Sequence, residues 1–184
     1  MQPLIYDVAV SIDGFIAGPV VGEHPDVSCF PHEGSIVEDY QARLSTYAVA
    51  LMGRATYEFG YAFGLPPGAN PYPNMRSVVI SESIDLPVGA DVSVIRDNAI
   101  AAVRTLKAEA TGALYLCGGG VLAGSLLAAR LIDRLRVKRA PIVLGDGVPL
   151  FSGIDDAPML TLLEEKAHDN GALFQEFAVE HPNA

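Results

Sequence analysis

The sequence predicts an α/β fold: a single domain built on a mixed, mostly parallel twisted sheet, flanked by helices and closed by a C-terminal β-hairpin. Three observations carry this. Apolar runs of strand length at 4–11, 47–53, 76–81 and 113–117 alternate with segments of helical spacing, the pattern of a parallel sheet covered by helices. Two of these strands run through glycine straight into helix-like sequence, at MGRATYE and LCGGGVLAG. The tail holds two further strand-like runs, MLTLLEEKA and ALFQEFAVE, joined through Asp169-Asn170-Gly171, and Asn-Gly is a strong hairpin signal.

Residues 4–11 (LIYDVAVS) alternate well enough for a first strand. Residues 12–33 read as a long irregular stretch punctuated by Gly14, Gly18, Pro19, Gly22, Pro25 and Pro31, and loops of that length in compact domains are often functional. Ile36, Tyr40 and Leu44 share one face of a helix over 35–46, and 47–53 (YAVALMG) is a continuous apolar strand. A short helix over 54–59 precedes a loop carrying Pro66, Pro67, Pro71 and Pro73. Strands at 76–81 and 92–95 follow, with Asp97 as N-cap of a helix over 98–110. The strand 113–117 leads into a helix over 121–130. Alternating charge in RLRVKRA (134–140) predicts a strand with one wet face, and LGDGVPLF (144–151) is turn-rich. With no repeat, linker or low-complexity tract, the 184 residues read as one domain, 1–184.

Half of the residues are hydrophobic, enough for a sizeable core, and 12 basic against 22 acidic residues give a net charge of −10. An acidic chain with no basic cluster argues against nucleic acid or an anionic membrane as partner. A small anionic ligand is not excluded, because a local pocket can be positive. Cys29 and Cys117 are far apart, and Cys117 ends an apolar run, so both are read as free thiols. No window approaches a membrane span and the N-terminus shows no targeting pattern, which makes the expected location cytoplasmic.

The chemistry concentrates at strand ends. Gly118, Gly119 and Gly120 stand between a strand and a helix, where glycine lets the backbone approach a ligand and free helix N–H groups attract phosphate; the plain alternative is a tight turn with close helix–strand packing. Residues 118–123 formally match G-x-G-x-x-A, but the next strand ends without the acid that a dinucleotide-binding Rossmann unit requires. At Gly53-Arg54-Ala55-Thr56, Arg54 suits a bidentate phosphate contact and Thr56 adds a hydroxyl; otherwise Arg54 is a solvated residue opening a helix. Ser81 lies at a third strand end. If those three strands are neighbours, they form one anion- and nucleotide-binding edge.

The order VAVSIDGFIAG, MGRATYE, VVIS, LCGGG and LGDGVPLF resembles the dihydrofolate reductase-like superfamily, most closely the bacterial branch related to the C-terminal reductase domain of riboflavin biosynthesis (RibD C-terminal-like). The resemblance covers nearly the whole chain. It implies NADPH bound across the sheet and hydride transfer to a small, heterocyclic substrate. It places Arg54 at the 2′-phosphate, Thr56 at the cofactor phosphates, Ser81 beside the adenosine, Gly118–Gly120 with Val121 and Leu122 at the pyrophosphate turn, and Ala9 and Ile16 beside the nicotinamide. Gly53 precedes that arginine, and Asp13-Gly14 belongs to the loop that covers the nicotinamide.

The chain departs from the pattern on the substrate side. The simplest register puts Val37 where dihydrofolate reductases carry the pterin-binding acid, with Glu38 and Asp39 beside it, and the chain has no tryptophan for the covering loop. The arginine and aspartate signatures around the ribose phosphate of the riboflavin-pathway reductases are also absent. Proton delivery is open among Asp13, Glu38, Asp39 and solvent. Two rival readings stand: a riboflavin-pathway reductase of a ribosylaminopyrimidine, and a nucleotide-binding protein without turnover. No metal site is expected, since His24, His32, Cys29 and Asp26 need closer convergence than their spacing guarantees. His168 and His181 are read as solvated, Glu164, Glu165 and Lys166 as a wet strand face, Ser125 as a helix residue without nucleophile context, and Tyr57 as core. Apolar Leu162, Leu163, Leu173, Phe174 and Phe177 in the tail hairpin predict a homodimer.

Overall fold

The computed structural model describes residues 1–22, 24–155 and 157–181. In chain order the elements are β1 (Leu4–Val10), β2 (Phe15–Ala17), β3 (Val20–Val21), β4 (His24–Pro25), α1 (Ser35–Leu44), β5 (Tyr47–Gly53), α2 (Arg54–Phe59) with a single 3-10 turn (Gly60–Phe63), β6 (Arg76–Ile80), β7 (Ser93–Ile95), α3 (Ala99–Glu109), β8 (Ala113–Gly118), α4 (Gly120–Ala128), β9 (Arg134–Arg139), β10 (Val148–Pro149), β11 (Met159–Ala167) and β12 (Leu173–Glu180). The main sheet has eight strands in the order β11-β12-β9-β1-β8-β5-β6-β7. β9 through β7 run parallel, and the terminal hairpin adds antiparallel strands beyond β9. β1 and β8 are apolar for nearly their whole length because both of their faces are covered.

One face packs Leu4, Tyr6, Leu51, Val78, Leu114 and Leu116 against Val103 and Leu106 of α3 and Ala123, Leu126 and Leu127 of α4. The other packs Ile5, Tyr47, Ala50, Met52, Val79 and Tyr115 beneath Tyr40 and Leu44 of α1 and Tyr57 of α2. A shift in the β5–β8 register between Tyr47 and Val49 lets Tyr47 share the α1 face with Ala50 and Met52. The hairpin turns at Gly171, whose φ of 79° is left-handed, with Asn170 Oδ1 accepting from the Ala172 N–H at 3.1 Å.

Four local expectations need correction. The cap position of α3 is Asn98, not Asp97; its φ of 49° is left-handed, and no side chain caps the helix. The 12–33 stretch is not wholly irregular: β2 pairs with β10, and β3 with β4. Strand β9 is wet only at its start: Arg134 is exposed, whereas Arg136 is paired with Glu176, and Lys138, over the Tyr40 ring of α1, with Asp7. His168 is buried rather than solvated, with Nδ1 against the Ser35 hydroxyl at 2.8 Å. Tyr57 is core as expected, at 1% exposure. No helix among the described residues is long and apolar enough to cross a membrane.

Candidate functional site

Because β8, β5 and β6 are adjacent and parallel, their C-terminal ends present Gly118, Gly53 and Ser81 along one edge. This is where open α/β sheets bind ligands. Two cavities of about 430 and 820 Å³ occupy it, and both are lined by Ala55, Thr56, Gly119 and Val148. Ala9, Ile16, Thr56, Gly118 and Gly119 line the first. Gly53, Arg54, Thr56, Ser81, Gly119, Gly120, Val121 and Leu122 line the second. Apart from Asp13-Gly14 of the covering loop, every residue that the resemblance placed near a cofactor therefore lies on this joined cleft.

The three glycines have three separate reasons. Gly118 has a φ of 137°, a conformation that disfavours other residues. A Cβ on Gly119 meets only Thr56 Oγ1, at 3.6 Å, so its outer side is open to the cleft. A Cβ on Gly120 falls 2.2 Å from the Pro149 carbonyl oxygen, so this glycine serves helix packing. Together they bring the start of α4 to the cleft, where the first helical N–H groups have no intrahelical acceptor. An open turn over unpartnered donors fits a pyrophosphate.

Across the second cavity, Arg54 Nε donates to both Glu58 carboxylate oxygens at 2.8 and 2.9 Å, and its Nη1 to Ser83 Oγ at 3.0 Å. A second guanidinium, Arg96, lines the same cavity beside Ser81 and donates to the Glu82 carbonyl at 3.3 Å. Arg96 is not among the residues to which the sequence points; its position at the end of β7, next to the uncapped start of α3, is the available signal.

Asp13, Glu38 and Asp39 do not line either cavity. Asp13 accepts from Ser11 Oγ at 2.6 Å and from the Gly145 N–H at 2.7 Å, tying the 11–14 turn to the 144–145 loop. The Ser11 hydrogen bond, then the Gly145 N–H, hold its pKa at about 2, so it carries no proton to give near neutrality. Glu38 is exposed on α1, and Asp39 pairs with Lys166 at 2.5 Å on the hairpin side. The α1 residue that does reach the first cavity is Tyr40.

The first cavity has a charged floor for which the sequence carries only one local signal. Asp7, Lys138, Tyr40, Tyr72, Tyr115 and Cys117 line the first cavity. Asp7 Oδ1 accepts from Lys138 Nζ at 2.5 Å, and Oδ2 accepts from Tyr47 OH at 3.0 Å and Arg43 Nε at 3.2 Å. Burial pushes the Asp7 pKa up, but Lys138, Arg43 and the hydrogen bonds from Lys138 and Tyr47 together bring it below the ordinary carboxylate value. Burial pulls the Lys138 pKa down, with Asp7 opposing it. Burial also raises the Cys117 thiol pKa, and Tyr72 OH lies 3.0 Å from its sulfur. The sequence signal was a lone carboxylate inside the apolar LIYDVAV strand. Of the remaining candidates, His32 lines the first cavity and bonds the Ser28 carbonyl, while Cys29 is exposed. Among the described residues no group of three or more His, Cys, Asp or Glu is placed to hold a metal.

Sheet order and cleft define a dihydrofolate reductase-like α/β domain. The chain belongs to the RibD C-terminal domain family, whose model matches residues 2–174. It is 30% identical over 155 residues to the uncharacterized Bacillus subtilis protein YwjB, covering 84% of this chain and 86% of YwjB. A Shewanella sp. PV-4 protein provisionally assigned to riboflavin biosynthesis superposes with a TM-score of 0.77 at 23% identity, covering 98% of this chain and all of the other. Enterococcus faecalis dihydrofolate reductase, solved with NADP(H), superposes with a TM-score of 0.65 at 18% identity, covering 97% of each chain.

Proposed function

We propose that this protein is an NADPH-dependent reductase acting on a small, planar heterocyclic substrate. One observation carries the reading: cofactor-type residues from four separate segments of the chain line two joined cavities at the ends of adjacent parallel strands. The family and the structural neighbours, which include a reductase solved with NADP(H), support it. In this reading the second cavity holds the adenosine and phosphates, with Arg54 and Arg96 as the cations near the 2′-phosphate and the start of α4 under the pyrophosphate. The first cavity holds the nicotinamide against Ala9 and Ile16, with the substrate beyond it over the Asp7–Lys138 floor. NADPH supplies the hydride. The protein aligns the two rings and excludes water between apolar walls. The reading stops short of a ribosylaminopyrimidine substrate, because no arginine is among the residues lining the first cavity to hold a ribose phosphate.

The test is cofactor selectivity. Arg54→Ala is expected to weaken NADPH by roughly 1–3 kcal/mol, the range of a charge-assisted contact, and to leave NADH nearly unchanged. Titration of both cofactors against both proteins checks this, and equal losses contradict it.

Assembly belongs to the same proposal. All nine residues of β11 are exposed at the sheet edge. Met159, Leu160, Leu162 and Leu163 are 71, 41, 50 and 49% exposed, whereas Phe174 is buried in the chain's own core. An edge strand with free backbone groups and apolar side chains fits a second copy of itself. Light scattering is expected to give twice the 19.4 kDa chain mass, and a concentration-independent monomer contradicts the dimer.

A further inference from the structure

The cofactor reading makes no use of the charges beneath the first cavity. Their hydrogen-bond accounting is uneven. Both Asp7 oxygens are committed, one to Lys138 and the other to Arg43 and Tyr47, and the side chain is fully buried. Lys138 is not fully committed. An ammonium has three N–H groups, and Asp7 is its one acceptor among the described residues. Its Nζ lies 3.8 Å from the Tyr40 ring centroid, a contact that holds it in place without consuming a directed donor. Lys138 also lines the cavity, while its side chain is only 11% exposed. The cavity therefore meets a ligand with a positioned cationic donor and with no free carboxylate.

We propose that Lys138 is the residue that reads the substrate: its ammonium, positioned by Asp7, donates to an acceptor atom such as a ring carbonyl oxygen at the floor of the first cavity. The site then takes a planar ring that presents acceptors at that end and rejects the same ring presenting donors. Recognition of a cationic, amidine-like edge requires a carboxylate with acceptors to spare. Freeing Asp7 for that purpose strips two buried cations of their partner, which is costly. The nearest acids on α1 do not supply a substitute, because Glu38 faces solvent and Asp39 is paired with Lys166. This inference rests on the proposed cofactor arrangement only in assigning the first cavity to the substrate. The competing account gives Lys138 a purely structural role, as countercharge to Asp7.

The experiment uses two probes with one ring skeleton, pteridine-2,4-dione and pteridine-2,4-diamine, titrated calorimetrically into the NADPH-loaded protein. The dione is expected to bind roughly tenfold tighter than the diamine, the scale of one charge-assisted hydrogen bond. Lys138→Met is expected to lose most of the dione affinity, to leave NADPH unchanged, and, because it releases Asp7 Oδ1 as an acceptor, not to weaken the diamine. A second readout needs no variant: acetic anhydride labelling of wild-type protein, followed by mass spectrometry, should show Lys138 protected by the dione and not by the diamine. A diamine that binds as tightly as the dione overturns the proposal. So does a dione that fails to bind, fails to protect Lys138, or binds Lys138→Met as well as wild type. The same titrations run without NADPH separate the two readings. A Lys138-dependent dione preference in a protein that does not bind NADPH removes the cofactor reading alone, and NADPH binding without that preference removes the lysine assignment alone.

Discussion

Asp7→Asn is expected to lower the unfolding free energy at neutral pH by roughly 3 kcal/mol. The carboxylate side chain is 0% exposed, and it is the shared partner of Lys138 and Arg43, which are 11% and 18% exposed. Removing one member of a buried ion pair costs about 3–5 kcal/mol because the remaining charge stays buried without a partner, and the residual exposure of the two cations sets the low end here. Arg43 already has a buried Nη2 with no partner among the described residues, so losing Asp7 adds to an existing deficit of acceptors. The effect carries a pH signature. The folded-state pKa of Asp7 is below its ordinary value, so its stabilisation is complete above the unfolded-state pKa of about 3.9 and is lost as pH falls through the folded value. Urea denaturation of both proteins should show a stability gap at pH 7 that narrows on acidification below about pH 4. A variant as stable as wild type at pH 7 contradicts this description of the floor.

Gly124→Ala is expected to destabilise by roughly 2–3 kcal/mol, although alanine is the better helix former. A Cβ at this position falls 1.8 Å from the Ser152 carbonyl oxygen and 2.9 Å from its carbon. These are backbone atoms, so the strain is not relieved by turning a side chain. The segment that must retreat, 149–152, also contributes Pro149 and Ser152 to the second cavity. Reduced cofactor affinity should therefore accompany a melting temperature lowered by about 4–12 °C for a domain of this size. Unchanged melting refutes the close packing of α4 on that segment.

Much of the fold was legible because its signals are periodic. The apolar runs at β1, β5, β6 and β8 needed no partner to be recognised, and the Asn170-Gly171 turn marks the hairpin locally. The cleft at the strand ends was legible for a related reason: glycine, Arg54 and Thr56 follow directly on strands, and parallel pairing of those strands sets their ends side by side. The charged floor of the first cavity was not legible. Alternating charge along β9 looks the same whether the charged face meets water or, as here for Arg136 and Lys138, is covered and paired with Glu176 and Asp7. Which of the two holds depends on contacts made across the sheet, between residues 131 positions apart in the case of Asp7 and Lys138. His168 escaped for the same reason, since its burial depends on the Ser35 end of α1 folding over the hairpin. Residue type favours Asp97 as a cap, but the left-handed backbone at Asn98 decides where the helix begins.

NADPH titration of wild type and Gly119→Val, side by side, tests the central claim most directly. The chain has no tryptophan, so the nicotinamide's own fluorescence is a clean signal. Gly119 has an ordinary φ of −99°, and a Cβ there meets only the Thr56 hydroxyl at 3.6 Å, so the variant should fold. Its side chain stands in the space through which a pyrophosphate approaches the first N–H groups of α4. The account predicts saturable binding of one NADPH per wild-type chain, and affinity reduced by about tenfold or more in a Gly119→Val protein that melts like wild type. Absence of NADPH binding to wild type, or equal affinity in the two proteins, would contradict it.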